Sequence, residues 1–223
     1  MTSFSQLKGC LFDLHGVIAD SSAYHTQAWH QLATDLNVTW TQALADKLLG
    51  MSRDDAVATI LAAGDLTDAY SETEKISLGV RKNGYYLALI QTMSPKDILP
   101  GIKPFLNELQ RNGYGIVLAS ASVNAPVEIA KMQLTDYFPL IVDPKTLHHN
   151  KPDPEIYVRA AEMLRMPPET CMGFEDSQPG LTALNGSGAV SVGIGTPAEI
   201  KTAKVQLPST KALTLTNIEH ALQ

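Results

Sequence analysis

The chain has 223 residues, 44% of them hydrophobic, which is enough for one sizeable core and a smaller satellite domain. A formal net charge of −6 and a pI of about 5.5 make a surface that repels nucleic acid and anionic membranes, so neither is an expected partner. No apolar run reaches the length of a membrane span, and no basic stretch precedes an apolar leader. Two cysteines, Cys10 and Cys171, sit in apolar runs and read as reduced core residues, so the expectation is a cytoplasmic protein.

In chain order, the apolar run 9–14 reads as a buried strand that ends in a loop at Gly16. Asp20, Ser21 and Ser22 offer N-cap side chains for a helix through Tyr24, Ala28, Leu32 and Leu36. From 41 to 92 the period is helical, with helices expected at 43–49, 54–63 and 71–90. Pro95 and Pro100-Gly101 mark a return to alternating elements. Helices are expected at 103–111, 127–133, 154–164 and 179–184, with strands at 114–120, 140–143, 171–175 and 189–194. Near-continuous apolar strands separated by helices imply an α/β fold with a parallel sheet covered on both faces. The expected division is an α/β core from 1–18 and 95–223, with 19–94 as a helical insertion.

Reactive groups in such sheets gather at the carboxyl ends of the strands. The polar motifs fall there: Asp13-Leu14-His15-Gly16, Ser120-Ala121-Ser122 with Asn124, Asn150-Lys151-Pro152, and Glu175-Asp176-Ser177. Any one of these is common turn or cap chemistry. All four in this order, each following a strand, are harder to explain as turns. A carboxylate attacks phosphorus only when the incoming anion is neutralised, and Mg²⁺ held by oxygen ligands does this. Asp13, Glu175 and Asp176 are the ligand candidates, and Asp13 is also the nucleophile candidate. Ser120 and Lys151 supply donors for the phosphoryl oxygens. His148-His149 suggests a second metal site, but no third ligand stands at convincing spacing, and a solvated loop is the expectation.

The sequence resembles the haloacid dehalogenase superfamily, in the branch with an inserted helical cap, and within it the β-phosphoglucomutase family. The likeness rests on Phe12-Asp13-Leu14 with Gly16-Val17-Ile18, Tyr24-His25, Trp29, Gly50-Met51-Ser52-Arg53 and Arg81-Lys82-Asn83. It continues through Leu118-Ala119-Ser120-Ala121-Ser122, Lys151-Pro152 and Glu175-Asp176-Ser177. The resemblance implies a Rossmann-like core with a cap domain, and catalysis by Asp13, His15, Ser120 and Lys151. It implies Mg²⁺ held by Asp13, Glu175, Asp176 and the backbone carbonyl of His15. Substrate contacts are implied at His25, Gly50, Arg53, Lys82, Ala121, Ser122 and Asn124. The implied reaction takes β-glucose 1-phosphate to glucose 6-phosphate through a bisphosphate, in a monomer whose partner is a small sugar phosphate.

Three positions depart from that pattern. His15 stands where the family has the Asp that exchanges a proton with the sugar. An unperturbed Asp titrates near ~3.9 and a His near ~6.5, so the proton chemistry changes even though a backbone carbonyl can still meet the metal. Leu49 and Val123 stand where the family pattern has Lys, which removes cations from the expected substrate cleft. Three readings stay open: a hexose-phosphate mutase with altered proton chemistry, a sugar phosphatase in which water attacks the aspartyl-phosphate, and a phosphosugar binder.

Overall fold

The computed structural model describes residues 3–48 and 51–223, so Leu49 and Gly50, both singled out above, lie outside the described residues. The chain divides into two compact units, one formed by residues 1–20 and 94–223 and the other by residues 21–93.

The first unit is built on five parallel strands: β1 (Gly9–Phe12), β2 (Gly115–Leu118), β3 (Cys171–Glu175), β4 (Val190–Ile194) and β5 (Val205–Leu207). Their spatial order is β2-β1-β3-β4-β5. Every residue of β1, β3 and β4 is buried, because helices from the same unit cover the sheet and leave these strands no solvated face. The register aligns Phe12 with Leu118 on one side and with Phe174 on the other. The ladder extends one step further, with the Asp13 amide donating to the Phe174 carbonyl and the Ala119 amide to the Phe12 carbonyl. In this way the ends of β1, β2 and β3 are brought level.

An aromatic plate lies directly below that level. Phe12 stacks on Phe174 with ring centroids 4.3 Å apart and meets Phe138 edge-on at 5.8 Å. Phe105, on the helix α5 (Ile102–Arg111), closes the group against Phe174 at 5.4 Å. The other helices of this unit are α6 (Ala125–Lys131), α7 (Glu155–Met163), α8 (Gln178–Ser187) and α9 (Leu215–Leu222).

The segment 140–143 is not a strand. It makes one parallel bridge, Leu118 to Ile141, with hydrogen bonds from the Leu118 amide to the Leu140 carbonyl and from the Val142 amide back to Leu118. Asp143 then caps a 3₁₀ turn beginning at Pro144, which ends the extended run before a ladder forms. Strand β5 and helix α9 went unanticipated; β5 is a three-residue edge strand with its middle residue exposed, too short to leave a periodic signal.

The second unit holds α1 (Ser22–Asp35), α2 (Gln42–Leu48), α3 (Arg53–Ala63) and α4 (Glu72–Leu89). Its core is Trp29, Leu32, Ala33, Val38, Val57, Ile60, Leu61 and Leu78 with their neighbours. Side chains set the helix starts. Ser52 accepts from the Asp55 amide, and Ser71 and Glu74 form a reciprocal capping box. Among the described residues, no helix is long and apolar enough to cross a membrane.

The plate makes a stability prediction. Phe12 is fully buried, so Phe12→Ala is expected to cost about 3–5 kcal/mol, read as a lowered urea midpoint. A shift of less than 1 kcal/mol would mean the plate does not carry the sheet centre.

Candidate active site

Strand order places the site. β1 has β2 on one side and β3 on the other, so the chain leaves β1 at a switch point, where open α/β sheets form a crevice. Asp13 is the first residue past β1, Glu175 the last of β3, and Asp176 follows it. Their carboxylate oxygens lie within 4.8 Å of one another. Lys151 reaches in from the loop before α7. Its Nζ donates to Asp13 Oδ1 at 2.7 Å and to Glu175 Oε1 at 2.6 Å.

Glu175 is almost wholly buried and is held from all sides. Oε1 also accepts from the Tyr157 hydroxyl at 2.6 Å. Oε2 accepts from Ser177 Oγ at 3.0 Å and from the amides of Asp176 and Ser177. Ser177 in turn caps α8 by accepting from the Gly180 amide. A Cβ at Gly180 would stand 2.0 Å from the Glu175 carboxyl, so glycine there is what lets α8 close over that carboxylate. Gly16 has φ +80°, and a Cβ on it would meet Asp176 Oδ2 at 1.7 Å. The His15-bearing turn and the Asp176 loop therefore touch with no side chain between them.

Charge is unbalanced in this set, because one ammonium faces three carboxyls. Burial, then the charges of Asp13 and Glu175, push Asp176 up to about 7. Burial also raises Asp13, against the pull of Lys151. Burial works against an ionised Glu175 too, yet the charge and hydrogen bond of Lys151, with the hydrogen bonds of the Tyr157 hydroxyl and the Ser177 amide, hold it below the usual carboxylate range. Burial opposes the Lys151 ammonium, but Asp13 and Glu175 outweigh it and hold its pKa well above the usual lysine value. An all-oxygen, electron-rich cluster of this kind fits a hard divalent cation.

The side chain of His15 turns toward another group. Its Nε2 lies 2.8 Å from Oε2 of Glu128, a carboxylate with no exposed surface. Burial alone would lower the His15 pKa. The hydrogen bond and charge of Glu128, then the charges of Asp13 and Asp176, outweigh it and raise the value above that of free imidazole. Ser122 Oγ donates to Glu128 Oε1 at 3.1 Å and accepts from the Asn124 amide at 3.2 Å, while the Ser122 amide donates to Ser120 Oγ at 3.2 Å. Ser120 and Asn124 are buried, Ala121 is exposed, and Val123 is 41% exposed.

In the helical unit, Lys82 is buried, against the surface position that its charge alone suggests. Its Nζ lies 2.8 Å from His25 Nδ1 and over the rings of Trp29 at 4.4 Å and Tyr86 at 5.1 Å. Arg53, at the start of α3, is exposed and donates to Asn83 Oδ1 at 3.2 Å.

Two groups at the sheet edge were missed by sequence reasoning. Glu128 carries a legible signal, because it interrupts the buried face of α6 formed with Ala125 and Ile129. Tyr157 carries none, since an aromatic between Ile156 and Ala160 reads as core. At His148-His149 the spacing misled. Asp153 and Glu155 do come within 4.8 Å of His149. Glu155, however, is engaged by the amides of His148 and His149, and the group serves as a loop clasp at the start of α7.

A family model described as haloacid dehalogenase-like hydrolase matches residues 7–188. β-Phosphoglucomutase of Bacillus subtilis is 37% identical over 209 residues, spanning 94% of this chain and 92% of that one. The crystal structure of β-phosphoglucomutase from Clostridium difficile aligns with a TM-score of 0.87 at 35% identity, covering 97% of each chain. The phosphorylated carbohydrates phosphatase of Thermotoga maritima is 23% identical over 184 residues, 82% of each chain. The chain belongs to the haloacid dehalogenase-like hydrolase family, and it is an enzyme. Within that family its likeness is to the β-phosphoglucomutase type, with the Rossmann-like core and inserted helical cap of that fold.

The charge imbalance is testable through stability. An Asp held at about 7 when folded and near ~3.9 when unfolded keeps its proton preferentially in the native state. The metal-free protein should therefore lose stability as pH rises from ~4 through about 7. Asp176→Asn, in chelator, is expected to raise the melting temperature by several degrees at pH 8 and by clearly less at pH 5. Equal shifts at both pH values would contradict the assignment.

Proposed function

We propose that this enzyme transfers a phosphoryl group between oxygens of a hexose phosphate through an aspartyl-phosphate on Asp13. The proposed reaction is of β-phosphoglucomutase type, with β-glucose 1-phosphate becoming glucose 6-phosphate. The observation that carries the reading is the sheet-edge cluster in which Lys151 bridges Asp13 and Glu175 beside Asp176. The 37% identity to a β-phosphoglucomutase over 94% of the chain supports the substrate class.

The proposed residue roles combine the cluster at the sheet edge with the family resemblance. The Asp13 carboxylate attacks phosphorus; its O–P bond forms as the bond to the sugar oxygen breaks. Lys151, buried and held as ammonium, offsets charge on the transferring group, and Ser120 Oγ hydrogen-bonds one of its oxygens. His15 gives the departing sugar oxygen its proton and takes a proton from the accepting hydroxyl in the second transfer. Mg²⁺, held by Asp13, Glu175, Asp176 and the His15 carbonyl, would supply the positive charge that lets one anion approach another. His25, Gly50, Arg53, Lys82, Ala121, Ser122 and Asn124 are assigned to the substrate, with Arg53 as the anchor for the non-reacting phosphate. The enzyme is proposed to act as a cytoplasmic monomer.

A second reading, a sugar-phosphate phosphatase, is favoured by one region. A mutase must hold a bisphosphate at both ends. Here an exposed valine stands at 123, and the Ser122 hydroxyl is committed to Glu128.

Product analysis separates the two. With β-glucose 1-phosphate, Mg²⁺ and a trace of bisphosphate primer, glucose 6-phosphate is expected to exceed inorganic phosphate. Inorganic phosphate as the main product replaces the mutase with the phosphatase. Asp13→Asn is expected to remove both products; turnover in that variant would refute the aspartyl-phosphate route altogether.

A further inference from the structure

Glu128 has no counterpart among the roles assigned so far, and its position is costly. It stands on the apolar face of α6 between Ala125 and Ile129, fully buried, where a leucine would pack without desolvating a charge. A first-turn carboxylate gains from the helix dipole, but that gain does not require burial. What burial achieves is a fixed aim, with Oε2 on His15 Nε2 and Oε1 taken by Ser122 Oγ. Ser122 is itself anchored by the Asn124 amide. The carboxylate therefore has both oxygens engaged and little rotational freedom.

We propose that Glu128 is the positioning residue of the proton-transfer group, holding the His15 imidazole through Nε2 while Ser122 steadies the carboxylate. The proposal deepens the phosphoryl-transfer reading and rests on its assignment of Asp13 and His15. A carboxylate at Nε2 selects the neutral tautomer with its hydrogen on that nitrogen, so the lone pair is at Nδ1. When the phosphoryl group leaves Asp13, the acceptor O–H bond breaks and its proton passes to Nδ1. The new O–P bond forms, and the electron pair of the broken Asp13 O–P bond returns to the carboxylate. In the reverse sense the Nδ1 proton goes to the departing sugar oxygen. An imidazole can turn about two side-chain torsions, and the Glu128 contact removes that freedom.

The role is separable from mere support by the leaving group. Acetyl phosphate loses acetate without needing a proton, whereas a sugar alkoxide needs one. Glu128→Gln, an isostere, is expected to lower kcat for transfer between sugar oxygens about 10- to 100-fold with little change in KM. Phosphorylation of Asp13 by acetyl phosphate is expected to stay within about twofold of wild type. Parallel loss of both rates marks a structural role and overturns the proposal, as does no loss of either. A wild-type protein that acetyl phosphate does not phosphorylate at Asp13 overturns the parent reading and this one with it. Independently of any variant, ¹⁵N spectra of the wild type are expected to place the hydrogen of the neutral His15 ring on Nε2. A ring with its hydrogen on Nδ1 overturns the assignment.

Discussion

The Lys151 ammonium, pinned between Asp13 and Glu175, is the interaction on which the site depends. Parallel pairing of β1 with β3 forces those two carboxylates together at the sheet edge, and Asp176 follows one residue later. Without a shared cation they would repel one another in a setting where burial already penalises charge. Lys151 neutralises the pair, Tyr157 and the Ser177 cap hold the inner carboxylate, and the imbalance that persists falls on Asp176. The same imbalance that destabilises the fold is what a hard divalent cation would relieve, so here stability and function pull in opposite directions.

A second buried carboxylate organises the other side of the nucleophile. Glu128 gathers His15 and Ser122 much as Glu175 gathers Lys151 and Tyr157. Both carboxylates come from regular elements, a helix turn and a strand end, and both are satisfied at each oxygen. His15, Ser122 and Lys151, which lie outside the strands and helices, are thus each held by a carboxylate on a regular element. Gly16 and Gly180 complete the arrangement by omission, since any side chain there would occupy the space of a carboxylate.

Much of this was legible in the sequence because strand ends are chemically marked. Apolar runs that stop at Asp13, Ser120 and Glu175 announce both the sheet and its working edge. The helical text of the insertion is equally plain, and α3 and α4 start at serines that cap them, whereas Ser21 precedes α1 without a side-chain capping bond. What stayed hidden depends on three-dimensional company. Whether 140–143 joins a ladder is settled by the proline at 144 and by its place outside β2, neither of which changes its apolar character. Lys82 looks like surface charge until His25, Trp29 and Tyr86 are seen around it. Tyr157 differs from a core phenylalanine by one hydroxyl, and the partner of that hydroxyl is 18 residues away.

The pairing of His15 with Glu128 joins positions 113 residues apart. Each makes the other tolerable: the ring meets Oε2 of the carboxylate, whose other oxygen is held by Ser122, and the carboxylate gives the ring a fixed partner. Aspartate at 15 would face a buried like charge, and an apolar residue at 128 would release the imidazole. The two positions are therefore energetically coupled, and the effect of a change at either depends on the residue at the other.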